Sequence, residues 1–297
     1  MTPIQDWSEL ALAVIGGDQR EQEIARCAAA TGAQVRAFGF PWPERGITGV
    51  TRSRSAADAA AGAAVALFPI AGIKDGCLYA PGLASPPRID AELIGGLAPG
   101  AHIFVGAADE GLRHLAKRFS HSVHEYEHDA EAKLMRAPSV IEGVLATLIA
   151  NTQISIHGST IAVLGQGTLG GLLADTLHKL GARVHAVARD PVQRAQASLY
   201  GVATADFDGL RPLLPHLDIL ISAVPSRIVD LEMMRQLRPG ALVVDLASPP
   251  GSVDLEAAKN LPIKAIWARG LGARAPVTVG RSQWWAIRRR IGTLLGL

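Results

Sequence analysis

The sequence predicts an α/β protein with two Rossmann-like parallel-sheet domains, and three observations support that prediction. The chain has 297 residues, which suits two domains of ordinary size. Apolar strand-like segments alternate with helix-like segments throughout, as in parallel sheets covered by helices. An internal repeat pairs Ala13–Gly16 and Gly32–Val35 with Ala162–Gly165 and Gly181–Val184 at one constant offset. Both halves are therefore expected to open with the same strand–turn–helix–strand unit.

The first half begins with a strand that ends in the turn Gly16-Gly17-Asp18. Asp18 is suited to cap a helix that begins near Gln19. The turn lacks a third glycine, so a tight connection is favoured, with a substrate-domain turn or an anion site as alternatives. Further strands are expected at 63–70 and 102–105, and further helices at 90–97 and 110–119.

A helical apolar pattern from Pro138 to Asn151 precedes the second repeat and predicts the interdomain helix. Strands are then expected at 219–222, 242–246 and 263–267, followed by a final helix at 281–295. This last helix carries Trp284 and Trp285, for which packing is favoured over a ligand platform. Its arginine run at 288–290 is interpreted as a solvated face rather than a surface for an acidic partner.

Together these elements predict an active-site cleft between the two domains. The chain is expected to divide into a Rossmann-like substrate or partner domain at 1–137, a connecting helix at 138–152, an NADP-binding Rossmann domain at 153–279 and a C-terminal helix at 280–297.

The dinucleotide prediction rests on a glycine-rich turn that opens the second half. Gly165, Gly167 and Gly170 form the pattern G-x-G-x-x-G between two predicted strands. The first glycine of this pattern permits a tight turn, the second lets a pyrophosphate approach the helix N-terminus, and the third lets the helix pack on the strand. Its strand–helix–strand context predicts dinucleotide binding; the alternative is a glycine-rich turn without a ligand.

The end of the second strand in this unit indicates which dinucleotide binds. NAD-binding units carry an acid there for the ribose 2′-OH, whereas an arginine suits a 2′-phosphate. In this chain, Ala188 stands at the position where an acid would be expected, and Arg189 follows it. Asp190 would repel a phosphate, but Asp190-Pro191 also suits the N-cap and first position of the next helix. NADP is therefore predicted over NAD.

Ligands of parallel sheets bind outside the carboxyl ends of the strands, which selects the cofactor-binding candidates. They are Gly165, Gln166, Gly167, Thr168, Leu169, Gly170, Ala188, Arg189, Ala223, Val224, Pro225, Leu246, Ala247 and Ser248.

No Ser-His-Asp or Cys-His arrangement stands out, so the catalytic residues stay open, with three weak candidates. Lys74 follows a strand end and either binds an anionic substrate or is an exposed loop lysine. Glu142 either faces the cleft or is a first-turn acid favoured by the helix dipole. Ser248 either bonds a carboxamide or substrate or forms the turn before two prolines.

The composition of the chain argues against several classes of protein. The chain is 48% hydrophobic and 19% charged with a net charge of +2, which predicts no nucleic-acid partner. The nine histidines lack metal-ligand spacing, and Cys27 and Cys77 are isolated thiols, so neither a metal site nor a disulfide framework is expected. No signal peptide or membrane span is evident, which predicts a cytoplasmic protein.

Several motifs together make the chain resemble the family of dipicolinate synthase A-subunits over nearly its whole length. They are Ala13-Val-Ile-Gly-Gly-Asp-x-Arg20, Glu142-Gly143, Ile156-His-Gly-Ser159 before Ala162-Val-Leu-Gly165, Pro225-Ser226, Asp245-Leu-Ala-Ser248 with Pro250-Gly251, Gly270-Leu-Gly272 and Ala275-Pro276.

The resemblance implies an NADP-linked oxidation of dihydrodipicolinate to dipicolinate during sporulation, in the mother cell. It also implies a second, flavoprotein-like protein of the same synthase, and hence a hetero-oligomer. Because such a substrate carries two carboxylates, Lys74, Arg227, Arg269 and Arg274 become candidates for holding it. Two alternatives stay open: another NADP-dependent dehydrogenase of the 2-hydroxy-acid type, and a non-catalytic NADP-binding member of a complex.

Overall fold

The computed structural model describes residues 7–127 and 129–297 and divides the chain into two compact units. Unit 1 comprises the chain up to Arg136 together with Ala275–Leu297, and unit 2 is Ala137–Arg274. Residues 1–6 and 128 of the first expected segment lie outside the described residues.

Unit 1 contains a six-stranded sheet, a two-stranded hairpin and the helices that connect them. In chain order its elements are β1 (Ala11–Ile15), α1 (Gln19–Ala29), β2 (Gln34–Phe38), β3 (Val50–Arg52), α2 (Ala56–Ala60), β4 (Val65–Leu67), the hairpin β5 (Ile73–Lys74) and β6 (Cys77–Leu78), α3 (Ala91–Gly95), β7 (His102–Val105), α4 (Glu110–Arg118), β8 (Ser122–Glu125) and the first part of α5 (Ala130–Asn151).

Unit 2 repeats this plan. It contains the rest of α5, then β9 (Thr160–Leu164), α6 (Thr168–Lys179), β10 (Arg183–Val187), α7 (Pro191–Leu199), β11 (Ala203–Ala205), α8 (Phe207–Leu210), a 3₁₀ segment (Arg211–His216), β12 (Ile219–Ser222), α9 (Leu231–Arg235), β13 (Leu242–Asp245), α10 (Leu255–Ala258), β14 (Lys264–Trp267) and a second 3₁₀ segment (Leu271–Arg274); α11 (Pro276–Leu295) follows and belongs to unit 1.

Both six-stranded sheets are parallel and share one strand order. Unit 1 has β3-β2-β1-β4-β7-β8 and unit 2 has β11-β10-β9-β12-β13-β14. This 3-2-1-4-5-6 order is that of the Rossmann fold, with a switch point between the first and fourth strands. The central strands β4, β12 and β13 are buried along their whole length, as expected for strands covered on both faces. The predicted α/β fold with two Rossmann-like sheets is confirmed.

Two helices begin earlier than the sequence pattern indicates. α5 starts at Ala130 rather than Pro138, because Asp129 caps it by accepting the Ala132 N–H at 2.8 Å, and Pro138 lies inside the helix. α11 starts at Pro276 rather than 281, since proline fits the first turn of a helix, where its missing N–H costs nothing. In each case the hydrophobic pattern begins later than the helix does.

α11 packs on α1 within unit 1. The Trp284 ring meets Trp7 edge to face with centroids 5.8 Å apart, whereas Trp285 is half exposed. Gly280 lets the helices approach closely, since a Cβ there would lie 2.6 Å from the Arg20 carbonyl oxygen. The packing role predicted for the tryptophans therefore falls on Trp284.

A pair of histidines links the neighbouring strands β7 and β8. His102 Nδ1 and His124 Nε2 lie 3.0 Å apart. Burial, then the positive charges of Arg290 and His102, lowers the pKa of His124 to about 4 from an ordinary 6.5. Between these two pH values the unfolded chain binds a proton that the folded chain does not, so protonation favours unfolding.

We therefore expect the contribution of His124 to the free energy of unfolding to be intact above about pH 6.5 and lost as the pH falls towards 4. Urea unfolding of the wild type and of His124→Gln at pH 7 and pH 5 checks this expectation. The decrease in the free energy of unfolding between the two pH values should be smaller in His124→Gln. His114→Gln, at an exposed position of α4, is the control. The same drop in His124→Gln as in the wild type would contradict the assignment.

Candidate functional site

The turn between β9 and α6 gives each fingerprint glycine a different role. Gly165 has φ +86°, and a Cβ there would meet the Val224 side chain at 2.8 Å. A Cβ at Gly170 would lie 1.8 Å from the Gly165 carbonyl oxygen, so the helix and the turn touch backbone to backbone. A Cβ at Gly167 would meet nothing within 4 Å. The first and third glycines are thus required by packing, and the second leaves open space.

The N-terminus of α6 borders this open space. Gly167 is its N-cap residue and provides no side-chain hydrogen bond. The first N–H groups of a helix have no partner within it and carry the positive end of the helix dipole. This arrangement suits a phosphate group, so the residues present fit the pyrophosphate of a dinucleotide.

A cavity of about 870 Å³ opens beside the turn, within unit 2. The predicted cofactor residues on its wall are Gly165, Gln166, Gly167, Ala188, Arg189, Ala223, Val224 and Pro225. Six others are not on that wall: Thr168, Leu169, Gly170, Leu246, Ala247 and Ser248. Thr168, Leu169 and Gly170 form the first turn of α6, which a phosphate would contact through backbone N–H groups.

Sequence reasoning missed one side of this cavity. Its further lining residues are Asp190, Gln193, Arg194, Asp206, Phe207, Asp208, Arg211, Leu214, Ile228, Asp230, Glu232, Met233 and Gln236. Asp206 and Asp230 are helix N-caps, accepting the N–H groups of Gly209 and Met233. The sequence could have predicted the positions of Asp206 and Asp230, because an Asp before a helix is a common N-cap. It could not have predicted that Arg194 and Arg211 line the cavity, because that depends on the order of the strands in the sheet.

At the carboxyl end of β10, Asp190 and Pro191 begin α7 as the sequence predicts. Asp190 accepts the Val192 N–H at 2.8 Å and caps α7, with Pro191 in the first turn. Arg194 Nη1 donates to the carbonyl oxygens of Ala188 and Arg189, both at 2.7 Å, and so fixes the turn. The Arg189 side chain is exposed on the cavity wall. Asp190 therefore caps its helix through one carboxylate oxygen, and both Arg189 and Asp190 border the cavity.

A buried carboxylate organises the loop after β13. Asp245 Oδ1 accepts the Ala247 N–H at 2.9 Å and the Ser252 hydroxyl at 3.0 Å. Its Oδ2 accepts the N–H groups of Ser252 at 2.7 Å and Val253 at 3.0 Å. Ser248 is exposed in the turn that this carboxylate holds.

The remaining catalytic and substrate candidates are dispersed. Lys74 is exposed on the β5–β6 hairpin of unit 1. In unit 2, Glu142 and Arg274 form an ion pair with each other. Arg227 lies 3.8 Å from Asp254, and the Arg269 guanidinium stacks 5.1 Å from the centre of the Trp267 ring.

The corresponding turn of unit 1 is closed rather than open. A Cβ at Gly17 would lie 2.3 Å from Glu21 Oε2, and the Gly17 N–H donates to the Tyr79 carbonyl oxygen at 2.6 Å. Asp18 and Glu21 form a capping box on α1, with the Asp18 N–H donating to Glu21 Oε2 at 2.8 Å. The space that corresponds to the open space at Gly167 is filled here by the chain's own carboxylate, Glu21.

Charged groups gather at this closed turn. Burial raises the pKa of Glu21 to about 7, and the Arg20 charge opposes that shift. Arg20 holds Asp18 in a fork, with Nε to Oδ1 at 2.9 Å and Nη2 to Oδ2 at 2.8 Å. Burial alone would raise the pKa of Asp18, but the hydrogen bonds from Arg20 and its positive charge together outweigh burial and lower that pKa.

Comparison with known proteins covers both units. Residues 11–127 match the family model for the N-terminal domain of the dipicolinate synthase A-subunit. Residues 129–257 match the D-isomer specific 2-hydroxyacid dehydrogenase, NAD binding domain. The second match marks unit 2 as the nicotinamide-dinucleotide domain of an oxidoreductase. Among the described residues no helix combines the length and apolar character needed to cross a membrane.

Whole-chain relatives agree. The dipicolinate synthase A-subunit of Bacillus subtilis is 31% identical over 92% of both chains. The crystal structure of the dipicolinate synthase A-subunit from B. subtilis matches with a TM-score of 0.87 and 26% identity, covering 97% of each chain. The crystal structure of the A-subunit from Bacillus halodurans matches with a TM-score of 0.83 and 25% identity, covering 96% of this chain and 97% of that one.

Proposed function

The chain belongs to the family of dipicolinate synthase A-subunits, and from that premise we propose that it oxidises dihydrodipicolinate to dipicolinate with NADP⁺ in the mother cell of a sporulating bacterium. The observation that carries the proposal is the likeness over 92% of the chain, joined to a dinucleotide turn in unit 2 with open space at Gly167.

In the proposed reaction NADP⁺ is the hydride acceptor. The dihydropyridine ring loses a hydride and a proton and becomes aromatic, so the chemical step is strongly downhill. The protein then has to position the ring and neutralise two carboxylates rather than provide a strong base. Within this proposal, the candidate carboxylate ligands remain Lys74, Arg227, Arg269 and Arg274. The candidate catalytic residues remain Lys74, Glu142 and Ser248.

Preference for NADP rests on the end of β10. The position that an acid takes in NAD-binding units is occupied by Ala188, and Asp190 accepts the Val192 N–H through Oδ1 as the N-cap of α7. Arg189 instead lies on the cavity wall, where a guanidinium matches a 2′-phosphate.

Arg189→Ser should raise the KM for NADP⁺ about tenfold or more and leave the KM for NAD⁺ nearly unchanged, since one charge-assisted hydrogen bond is worth about 1.5–3 kcal/mol. Arg183→Ser, at the opposite end of the same strand, is the matched control. Steady-state kinetics with NADP⁺ and with NAD⁺ measure the ratio of the two KM values in each variant. Equal weakening for NADP⁺ and NAD⁺ would contradict the assignment.

The proposal includes a second, flavoprotein-like partner protein, with which this chain forms a hetero-oligomer. The test follows dipicolinate by its ultraviolet absorbance, with enzymatically generated substrate and NADP⁺, in the presence and absence of that partner. Formation by the chain alone or only with the partner supports the proposal, and no formation in either case overturns it. Oxidation of a 2-hydroxy acid instead would favour a dehydrogenase of the class that residues 129–257 match.

A further inference from the structure

Unit 1 contains a cavity of about 450 Å³ at the carboxyl ends of β2 and β3. The two strands are parallel neighbours, with Ala37 of β2 opposite Arg52 of β3. The chain leaves β2 at Gly39, whose φ of +96° and close approach to the Gly16 backbone both disfavour a side chain. We call this space the Trp42 cavity, and its wall includes Phe38, Phe40, Trp42, Arg52, Ser53 and Arg54.

The corresponding place in unit 2 belongs to the cavity beside the fingerprint turn. β10 and β11 take the positions in the strand order of unit 2 that β2 and β3 take in unit 1. Ala188 and Arg189 after β10, and Asp206 after β11, lie on the wall of the unit 2 cavity. Sheets of this kind bind ligands outside the carboxyl ends of their strands. Because Glu21 closes the Gly17 turn of unit 1, this place suits a ligand smaller than a dinucleotide.

Part of the wall of the Trp42 cavity is aromatic. The rings of Phe40 and Trp42 stack, with centroids 5.7 Å apart and planes inclined by 14°. Phe40 is buried and Trp42 is partly exposed, while Phe38 and Leu83 add further apolar surface to the wall. Aromatic and aliphatic walls of this kind favour a planar ring over a fully hydrated ion.

Two arginines give the same wall a positive charge. Arg52 Cζ lies 5.6 Å from the centre of the Trp42 ring, so a cation–π contact holds this guanidinium beside the aromatic surface. Within the described part of the chain, the guanidiniums of Arg52 and Arg54 form no ion pair or hydrogen bond. Asp58 accepts the Arg54 backbone N–H at 2.8 Å and is not part of the wall. The described wall residues include no acid, whereas the unit 2 cavity has acids beside its arginines.

Ser53 places a hydroxyl between the two arginines in the chain. The residue is 7% exposed, and its backbone N–H donates to the Ala37 carbonyl oxygen at 2.9 Å, which fixes it to the end of β2. Its hydroxyl forms no hydrogen bond with any residue that the structure describes. A nearly buried hydroxyl on a cavity wall is an available donor. Guanidinium and hydroxyl donors together match the oxygens of a carboxylate.

We propose that the Trp42 cavity binds a small planar aromatic carboxylate. Its ring lies against the aromatic wall of Phe40 and Trp42, and its carboxylate accepts hydrogen bonds from Arg52, Ser53 and Arg54. The product of the proposed function, pyridine-2,6-dicarboxylate, is a molecule of this class, and that identification rests on the proposed function. The Trp42 cavity shares no wall residue with the unit 2 cavity, so it is a binding site separate from the cofactor site.

Fluorine NMR of the full chain labelled with 5-fluorotryptophan reports binding at this cavity. The chain has five tryptophans, and Trp42→Phe identifies the Trp42 signal. The titrants are pyridine-2,6-dicarboxylate, cyclohexane-1,3-dicarboxylate, inorganic phosphate and adenosine 5′-monophosphate. They are added to the wild type, Arg52→Gln, the double variant Arg52→Gln/Arg54→Gln, and Arg118→Gln. Arg118 is the matched control, because it is exposed and also stacks on a ring, 5.3 Å from the centre of Phe119, but lies outside the Trp42 cavity.

Pyridine-2,6-dicarboxylate should shift the Trp42 signal saturably and leave the signal of the buried Trp284 in place. Arg52→Gln should raise the dissociation constant at least about fivefold, since charge-assisted hydrogen bonds are lost, and the double variant should raise it further. Cyclohexane-1,3-dicarboxylate has the same charge without an aromatic ring and should bind about threefold more weakly or worse. Arg52→Gln should keep the wild-type melting temperature and the wild-type KM and kcat for dihydrodipicolinate, because Arg52 is exposed and outside the catalytic site.

Several results would overturn the inference: no saturable shift of the Trp42 signal, wild-type affinity in both arginine variants, or an equal loss of affinity in Arg118→Gln. Equal binding of the two dicarboxylates would show that the ring is not recognised. Phosphate or adenosine 5′-monophosphate binding as tightly as pyridine-2,6-dicarboxylate would replace the aromatic carboxylate with another ligand. A wild type that forms dipicolinate without a Trp42 shift refutes this inference alone. A saturable Trp42 shift in a chain that forms no dipicolinate supports the site and refutes the proposed function.

Discussion

Gly167→Val is expected to fold like the wild type and to lose at least about a hundredfold in affinity for NADP(H), equivalent to about 2.7 kcal/mol. Gly167 has φ −71° and ψ −168°, an extended conformation that valine adopts readily, and its Cβ would meet nothing within 4 Å. The added side chain therefore costs the apoprotein little. It fills the space through which a pyrophosphate reaches the N-terminus of α6.

Two neighbouring glycines provide the comparison. Gly170→Ala places a Cβ 1.8 Å from the Gly165 carbonyl oxygen, so backbone must move and the melting temperature should fall. Gly171→Ala places its Cβ 3.7 Å from the Gln166 carbonyl oxygen, an ordinary contact, so stability should hold or rise by up to about 1 kcal/mol. Fluorescence titration with NADPH and thermal melts measure the three variants. Normal NADPH binding by Gly167→Val would contradict the placement of the cofactor.

Asp245→Asn is expected to lower the free energy of unfolding by about 2–4 kcal/mol, because hydrogen bonds to a charged group are worth about 1.5–3 kcal/mol each. The carboxylate is 1% exposed and accepts from three backbone N–H groups and one hydroxyl. An amide offers an NH₂ group on one side, so at least one buried backbone N–H faces a donor and loses its partner.

Urea unfolding measures this loss, with Glu256→Gln of the nearby α10 as the control. Glu256 is 82% exposed and pairs only with Lys259 in the described residues, so its substitution should change stability by less than about 0.5 kcal/mol. The sequence predicts that Leu246 and Ala247, which follow this carboxylate, contact the cofactor, so we also expect the Asp245 variant to bind NADPH more weakly. Wild-type stability in Asp245→Asn would contradict the buried network.

Much of the fold is readable in the sequence because local signals agree with it. The repeat of Ala13–Gly16 at Ala162–Gly165 predicts two like sheets, and the shared strand order confirms it. Asp18 and Asp190 cap their helices as predicted, since an Asx side chain before a helix serves few other purposes. The fingerprint glycines likewise predict the turn after β9. A Cβ at Gly165 or Gly170 would clash with neighbouring atoms, whereas the lack of a side chain at Gly167 leaves open space.

The less predictable features depend on distant parts of the chain. Glu142 and Arg274 are both site candidates in the sequence, yet they pair with each other over a long separation in the chain. The far wall of the cavity, including Arg194 and Arg211, is built from short helices whose position no local pattern encodes.

We propose that this chain transfers a hydride from dihydrodipicolinate to NADP⁺, and one experiment tests that step directly. The most direct measurement follows NADPH and dipicolinate together, under strict exclusion of oxygen, with freshly generated substrate and the partner protein present. Excluding oxygen matters because a dihydropyridine also aromatises by oxidation in air. We expect NADPH and dipicolinate in equal molar amounts, and no dipicolinate when NADP⁺ is left out. Dipicolinate formation at the same rate when NADP⁺ is left out would contradict hydride transfer to NADP⁺. Dipicolinate formation with no accompanying NADPH would contradict it as well.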